Sequence, residues 1–242
     1  MMSDERKGVK YLSIYIAGDP HGIYQNFVKI DSVLHDEDIC IICGDCGLLY
    51  YNNESEQHFL SDLQKKKYKI LFVDGNHENF DALYQIPEED WCGGKVHKLR
   101  DNVIHLCRGY VYTIEGKKFF AFGGGYSLDK DSRVPHVSWW EQEMPSQSEY
   151  DIGKANLEKN NWTVDYIITH TTNKETINLL AAKNRYSQIK QNIPEEAFLN
   201  YYLEDIREFT NYKQWFFGHF HVDENIDYTR QVAVYEKIIK LT

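Results

Sequence analysis

The stretch Asp38-Ile39-Cys40-Ile41-Ile42-Cys43-Gly44-Asp45-Cys46-Gly47 decides the fold. Apolar and thiol side chains run without a polar break and then stop at a glycine. An unbroken apolar run bounded by turn residues is what a strand covered on both faces requires. Gly44, with no Cβ, can take the backbone angles of a sharp turn. Asp45 is thereby placed at the C-terminal tip of a buried strand, where open α/β sheets gather their chemistry.

Four other segments end the same way. Tyr11 to Ala17 runs into Gly18-Asp19-Pro20-His21-Gly22, and Tyr68 to Val73 into Asp74-Gly75-Asn76-His77-Glu78. Tyr166 to Thr169 delivers His170, and Gln214 to Phe217 runs into Gly218-His219-Phe220-His221. Between the early strands, helices are expected over Ile23 to Leu34 and Asn53 to Lys66, where Phe59, Leu60 and Leu63 fall at helical spacing. Alternation of strand and helix favours a parallel sheet.

From Val103 the pattern changes to consecutive short strands, Val103 to Leu106, Tyr110 to Ile114 and Lys118 to Phe122, with turns at Gly109 and Glu115-Gly116. Tyr126 to Glu149 is polar and rich in turn residues. Helices are expected over Asp151 to Glu158, Thr172 to Ala182 and Pro194 to Phe209, and final strands over Val222 to Ile226 and Val232 to Ile238. No repeat or linker interrupts the 242 residues, so one domain over 1–242 is expected.

The net charge of −10 argues against a general grip on duplex nucleic acid, which relies on clustered Lys and Arg. A phosphate substrate stays open, because bound cations can supply positive charge locally. With no signal core at the N-terminus, no run able to span a bilayer and an odd count of 5 cysteines, a cytoplasmic protein with free thiols and no membrane partner is expected. Cys40 and Cys43 would point to opposite faces of their strand, which disfavours a metal cluster there. Cys46, beside Asp45, leaves the site open to oxidation.

Asp19, His21, Asp45, Asn76, His170, His219 and His221 are the parts of a site for two divalent metals. Such a pair can clamp the attacking and leaving oxygens of a phosphoryl displacement. His77 is left over, able to protonate a leaving group. His58, His97, His105 and His136 lie outside these blocks and read as ordinary side chains.

Gly-Asp-x-His-Gly at 18–22, Gly-Asp at 44–45, Gly-Asn-His-Glu at 75–78, His170 after a strand and Gly-His-x-His at 218–221 resemble, in order, the signature of the calcineurin-like metallophosphoesterases. The resemblance spans nearly the whole chain. It implies a four-layer α-β-β-α sandwich, two mixed sheets flanked by helices, with a dinuclear site at strand C-terminal ends. It also implies that Asp19, His21 and His221 bind one metal, that Asn76, His170 and His219 bind the other, and that Asp45 bridges. His77 would be the general acid and a metal-bound hydroxide the nucleophile. N and O ligands suit Mn, Fe, Zn, Co or Ni.

Two departures qualify the substrate. The Asp and Arg that protein Ser/Thr phosphatases of this superfamily carry after the bridging Asp are absent from Asp45-Cys46-Gly47-Leu48-Leu49-Tyr50. His170 is followed by Thr171-Thr172-Asn173, where many relatives have small residues and Pro. A small phosphoester, monoester or diester, is the expected substrate. The alternatives are a protein phosphatase and a non-catalytic binding scaffold, although none of the signature positions is lost.

Residues at about 126–150 resemble the substrate-side insertion of a bacterial and phage branch of the superfamily. Arg133 there is either a phosphate clamp or a surface arginine. Trp139-Trp140 either forms a pocket wall, even a platform for a base, or packs the insertion onto the body. Gly123-Gly124-Gly125 lacks the residues of a phosphate-binding loop and is expected to pass close to the metals.

Overall fold

Why the expected strands form, and where the expectation fails, follows from which faces they bury. The computed structural model describes residues 12–183 and 189–241. The expected strand residue Tyr11, and the residues before it, lie outside the described residues.

In the N-terminal half, β1 (Ile14–Ala17), α1 (Tyr24–Val33), β2 (Ile39–Ile42), α2 (Glu54–Gln64), β3 (Lys69–Phe72) and α3 (Phe80–Leu83) follow the alternation read from the sequence. Next come β4 (Glu88–Trp91), β5 (Gly94–Arg100) and β6 (Val103–Leu106), and then β7 (Tyr110–Ile114) and β8 (Lys117–Phe122). α4 (Gln147–Lys159), β9 (Tyr166–Thr169), α5 (Lys174–Ala181), α6 (Ala197–Phe209) and β10 (Gln214–Phe217) lead to β11 (Glu224–Ile226), β12 (Gln231–Ala233) and β13 (Ile239–Lys240).

These strands build two mixed sheets, β13-β1-β2-β3-β6-β5-β4 and β11-β12-β10-β9-β8-β7. Each has a parallel centre: β1, β2, β3 and β6 in one, β12, β10, β9 and β8 in the other. Antiparallel strands close the edges.

The two-faced burial of β2 explains its sequence. Ile39, Ile41 and Cys43 face a core shared with Phe119, Ala121, Ile168 and Phe216 of the second sheet. Cys40 and Ile42 face Phe27, Ile30, Leu60 and Leu63 of α1 and α2. On the far side, Phe120, Ile167 and Trp215 pack on Leu157 of α4 and Leu199, Leu203 and Ile206 of α6. The layers are therefore helix, sheet, sheet, helix. A side chain as fully buried as Ile41 or Phe119 contributes about 1.5–3 kcal/mol of hydrophobic stabilisation.

Four features depart from what the sequence suggests. The hairpin β4–β5 was not foreseen. Its outer strand Glu88-Glu89-Asp90 is charged and exposed, which blunts a sheet edge but hides the strand from apolar pattern reading. The strand expected over Val232 to Ile238 breaks after Ala233, and the chain crosses to the first sheet as β13. Asp223 causes the break by accepting hydrogen bonds from the backbone N–H groups of Tyr235, Glu236 and Lys237. The strand expected from Val222 starts only at Glu224. The helix expected from Asp151 begins earlier, at Gln147, because Ser146 and Glu149 form a reciprocal capping box.

Among the described residues, no helix is long and apolar enough to cross a membrane.

Candidate metal centre

Each candidate ligand stands on the turn after a parallel strand. Asp19 and His21 follow β1, Asp45 follows β2, Asn76 and His77 follow β3, His170 follows β9, and His219 and His221 follow β10. The turns are tight. His21, Asp45, His219 and His221 have φ of 51°, 48°, 65° and 51°. That left-handed region costs a residue with a Cβ roughly 1–2 kcal/mol. Strain of this kind collects where function over-determines the backbone. The motif glycines serve the same crowding: a Cβ on Gly75 would overlap Asp45 Oδ1, and one on Gly218 would overlap Asp19 Oδ1.

The side chains fall into two groups that share Asp45. Around its Oδ2, His21 Nε2 lies at 3.7 Å, His21 Nε2 is 2.9 Å from His221 Nε2, and His221 Nε2 is 3.6 Å from Asp19 Oδ2. Around its Oδ1, His170 Nε2 lies at 3.4 Å, and His170 Nε2 is 3.0 Å from Asn76 Oδ1 and 3.1 Å from His219 Nδ1. The structure brings all seven residues named from the sequence together in these two groups.

The donor set fits divalent cations. Asp19 Oδ1 is buried with no hydrogen-bond partner. Burial and the neighbouring Asp45 charge push the Asp19 carboxyl well above its ordinary range, so a counter-charge is wanted there. Burial would raise Asp45 too, but the imidazoles of His170, His77 and His21 hold it at about 2. Burial pushes His170 down to about 4 despite Asp45, which leaves a neutral ring nitrogen for coordination.

Neighbouring groups orient the ligands. Asn76 donates its amide N–H to Ser127 Oγ at 3.2 Å, and Ser127 donates to Glu143 Oε2 at 2.6 Å. This chain turns the Asn76 carbonyl oxygen toward His170. The backbone N–H of His219 donates to Asp19 Oδ2 and that of His77 to Asp45 Oδ1. Glu78 accepts from the backbone N–H groups of Cys46 and Gly47 and so holds the turn that carries Asp45. Ser127 and Glu143 were missed because nothing in an irregular segment marks residues 16 apart as partners. Glu78 stood in a motif block without an assigned role.

The 126–150 segment reaches the centre. Arg133 Nη2 lies 2.9 Å from His77 Nε2, and the guanidinium is held in place by Asp129 and the Ser138 carbonyl. The Arg133 side chain is only 9% exposed, which is unlike a solvated surface arginine. Burial, with the Arg133 charge acting against the pull of Asp45, holds His77 down to about 4. Gly125 passes close to His170, as the glycine run predicts.

Trp140 is buried and donates its indole N–H to Asp81, so it anchors the segment instead of walling a pocket. Trp139 is half-buried, with the Lys130 ammonium 4.1 Å above its ring. The aromatic wall beside the metal residues is instead Tyr50 and Tyr51. They line a cleft of about 500 Å³ with His21, His77 and Glu56. Tyr50 donates its hydroxyl hydrogen to the Ser138 carbonyl and ties this wall to the Arg133 loop. The expected oxidation of Cys46 is also corrected: the thiol is inaccessible and burial pushes it well above its ordinary range, the reverse of a reactive thiolate.

A family model, calcineurin-like phosphoesterase, matches residues 12–223. No curated protein matches the chain in sequence. Among solved structures, the chain is similar to a phosphopantetheinyl hydrolase from Mycobacterium tuberculosis at 15% identity, over 93% of this chain and 90% of that chain, with a TM-score of 0.46.

Proposed function

Because the chain belongs to the calcineurin-like phosphoesterase family, we propose that it hydrolyses a small phosphoester with two divalent metal ions bound between Asp19, His21, Asp45, Asn76, His170, His219 and His221. The observation that carries this reading is the position of Asp45, whose two carboxylate oxygens face separate groups of nitrogen and oxygen donors. When bound, the ions supply Lewis-acid stabilisation of the phosphoryl group and an activated water.

The remaining work falls to the protein. The cleft beside His21 and His77 admits a small ester and bounds it with Tyr50 and Tyr51. Arg133 offers a planar fork of N–H donors to phosphoryl oxygens, from the insertion and not from the loop after Asp45 where protein phosphatases keep theirs. His77 is held neutral at pH 7 by burial and by that guanidinium. A phosphoryl anion arriving between the two residues offsets the Arg133 charge and raises the proton affinity of the imidazole. A proton on His77 Nε2 can then pass to the leaving oxygen.

The test is hydrolysis of p-nitrophenyl phosphate and bis(p-nitrophenyl) phosphate by the full chain supplied with Mn²⁺. Turnover that Asp45→Asn abolishes supports the reading. A fully metallated sample that turns over no phosphoester in a broad panel overturns it and favours a binding scaffold.

A further inference from the structure

A second group of metal-binding side chains lies away from the turns described above. Glu88, His97 and His105 form one row across β4, β5 and β6, because Glu88 pairs with His97 and His97 with His105 in the strand register. Cys107 follows His105 by two positions and so returns to the same face. His97, His105 and Cys107 are 4%, 2% and 9% exposed. One ligand atom from each lies within 4.8 Å of the other two. The imidazole planes of His97 and His105 are 16° from parallel, with centroids 5.5 Å apart.

The hydrogen bonds fix which nitrogens are free. His97 Nδ1 lies 2.6 Å from the Ile86 carbonyl, which can only accept, so Nδ1 carries the proton and Nε2 the lone pair. His105 Nε2 lies 3.0 Å from Asp74 Oδ1, so Nε2 carries the proton and Nδ1 the lone pair. Asp74 is committed to accepting, since Arg108 donates to its other oxygen from Nε at 2.8 Å and Nη2 at 2.5 Å.

His105 Nδ1 is buried and has no hydrogen-bond partner. A buried polar atom left without a partner is destabilising, so a ligand is wanted at this nitrogen. Metal-binding histidines typically give their other N–H to a carboxylate or a backbone carbonyl. Both histidines here do so, one to each. The group opens on a cavity of about 510 Å³ that Glu88 and Tyr84 also line, which offers a way in and a fourth position for water or Glu88.

We propose that His97, His105 and Cys107 form a separate mononuclear site for a thiophilic divalent cation of the Zn²⁺ type. Two imidazoles and one thiolate with an open position match the ligand chemistry of zinc. Binding releases the Cys107 thiol proton to solvent as the metal–sulfur bond forms. Asp74 connects the site to the phosphoesterase centre, because it stands two residues before Asn76 on the turn after β3.

The experiment uses the full chain, stripped by chelation and titrated with Co²⁺ as a spectroscopic stand-in for Zn²⁺. A thiolate-to-cobalt charge-transfer band in the near ultraviolet is expected, bleached by added Zn²⁺. The nitrogen and oxygen donors around Asp45 cannot produce it, so the band survives Asp45→Asn and is absent from Cys107→Ser. His97→Gln is expected to weaken Co²⁺ binding at this site by at least the roughly 10-fold to 100-fold that loss of an outer partner costs. No such band in the Co²⁺-saturated wild-type chain overturns the proposal, which needs no variant to fold. A band that survives Cys107→Ser or vanishes with Asp45→Asn also overturns it. None of these outcomes bears on phosphoester turnover, so the two readings fail separately.

Discussion

Arg133 Nη2 sits 2.9 Å from Nε2 of His77, although 56 residues of chain separate them. Asp129 and the Ser138 carbonyl fix the guanidinium from its own loop, so it does not depend on His77 for its position. A charge-assisted hydrogen bond contributes about 1.5–3 kcal/mol. Arg133→Ala should therefore lower kcat/KM on a phosphoester roughly 10-fold to 100-fold. Arg133→Lys keeps the charge but loses the planar fork, and should recover only part of the loss. Unchanged KM and kcat in Arg133→Ala would remove this residue from the chemistry.

His77 separates proton donation from positioning. A general acid typically contributes about 10²–10⁴-fold, and most where the leaving group is a poor one. The loss in His77→Ala should be larger for an alkyl phosphoester than for a nitrophenyl ester, measured as kcat with Mn²⁺ saturating. Equal losses on the two esters would leave His77 a positioning role only.

Ser127 touches no candidate metal, yet it sets the direction of the Asn76 amide through its bonds to Asn76 and Glu143. In Ser127→Ala the amide is free to turn its N–H₂ toward His170. Loss of a group that orients a ligand usually costs about 10-fold to 100-fold in metal affinity. Calorimetric titration of the chelator-stripped variant with Mn²⁺ should show that weakening, with thermal unfolding of the stripped protein nearly unchanged. An unaltered affinity would mean that backbone geometry alone orients Asn76.

The strand tips were legible because physics writes them twice. The apolar run of Ile39 to Cys43 records burial on both faces, and Gly44 with φ of 94° records the turn. Parallel pairing of such runs brought Asp19, Asp45, Asn76, His170 and His219 to one place with no further signal. The edge hairpin left little trace. Its turn uses Cys92 at φ 49° before Gly93, where the residue commonly found is Asn or Asp. The approach of Arg133 was illegible for a different reason. The path of the loop depends on Trp140 meeting Asp81 and on Tyr50 meeting Ser138, contacts between segments with no shared periodicity.

Glu204 ties two helices together by charge, and pH should release it. Its Oε2 accepts from the backbone N–H of Glu175 at 3.0 Å, in the first turn of α5, and from the Asn173 amide at 2.9 Å. Its Oε1 accepts from Arg207 Nε at 2.6 Å, one turn along α6. Burial acts to raise the carboxyl, but the bonds from Asn173, Glu175 and Arg207 outweigh it and lower the pKa. A helix N-terminus stabilised by an acceptor loses about 1 kcal/mol when that acceptor is removed, which is the expected cost of Glu204→Ala at pH 7. The folded pKa lies below the unfolded value of roughly 4.3. The stabilisation is therefore complete above that value and fades as pH falls through the lower, folded one. Urea unfolding of wild type and Glu204→Ala at pH 7, 5 and 3, about the range that spans this change, should show two curves well apart at the first two and closer together at the last. A gap of the same size at the lowest pH would assign the contribution of Glu204 to packing of its methylene groups and not to its charge.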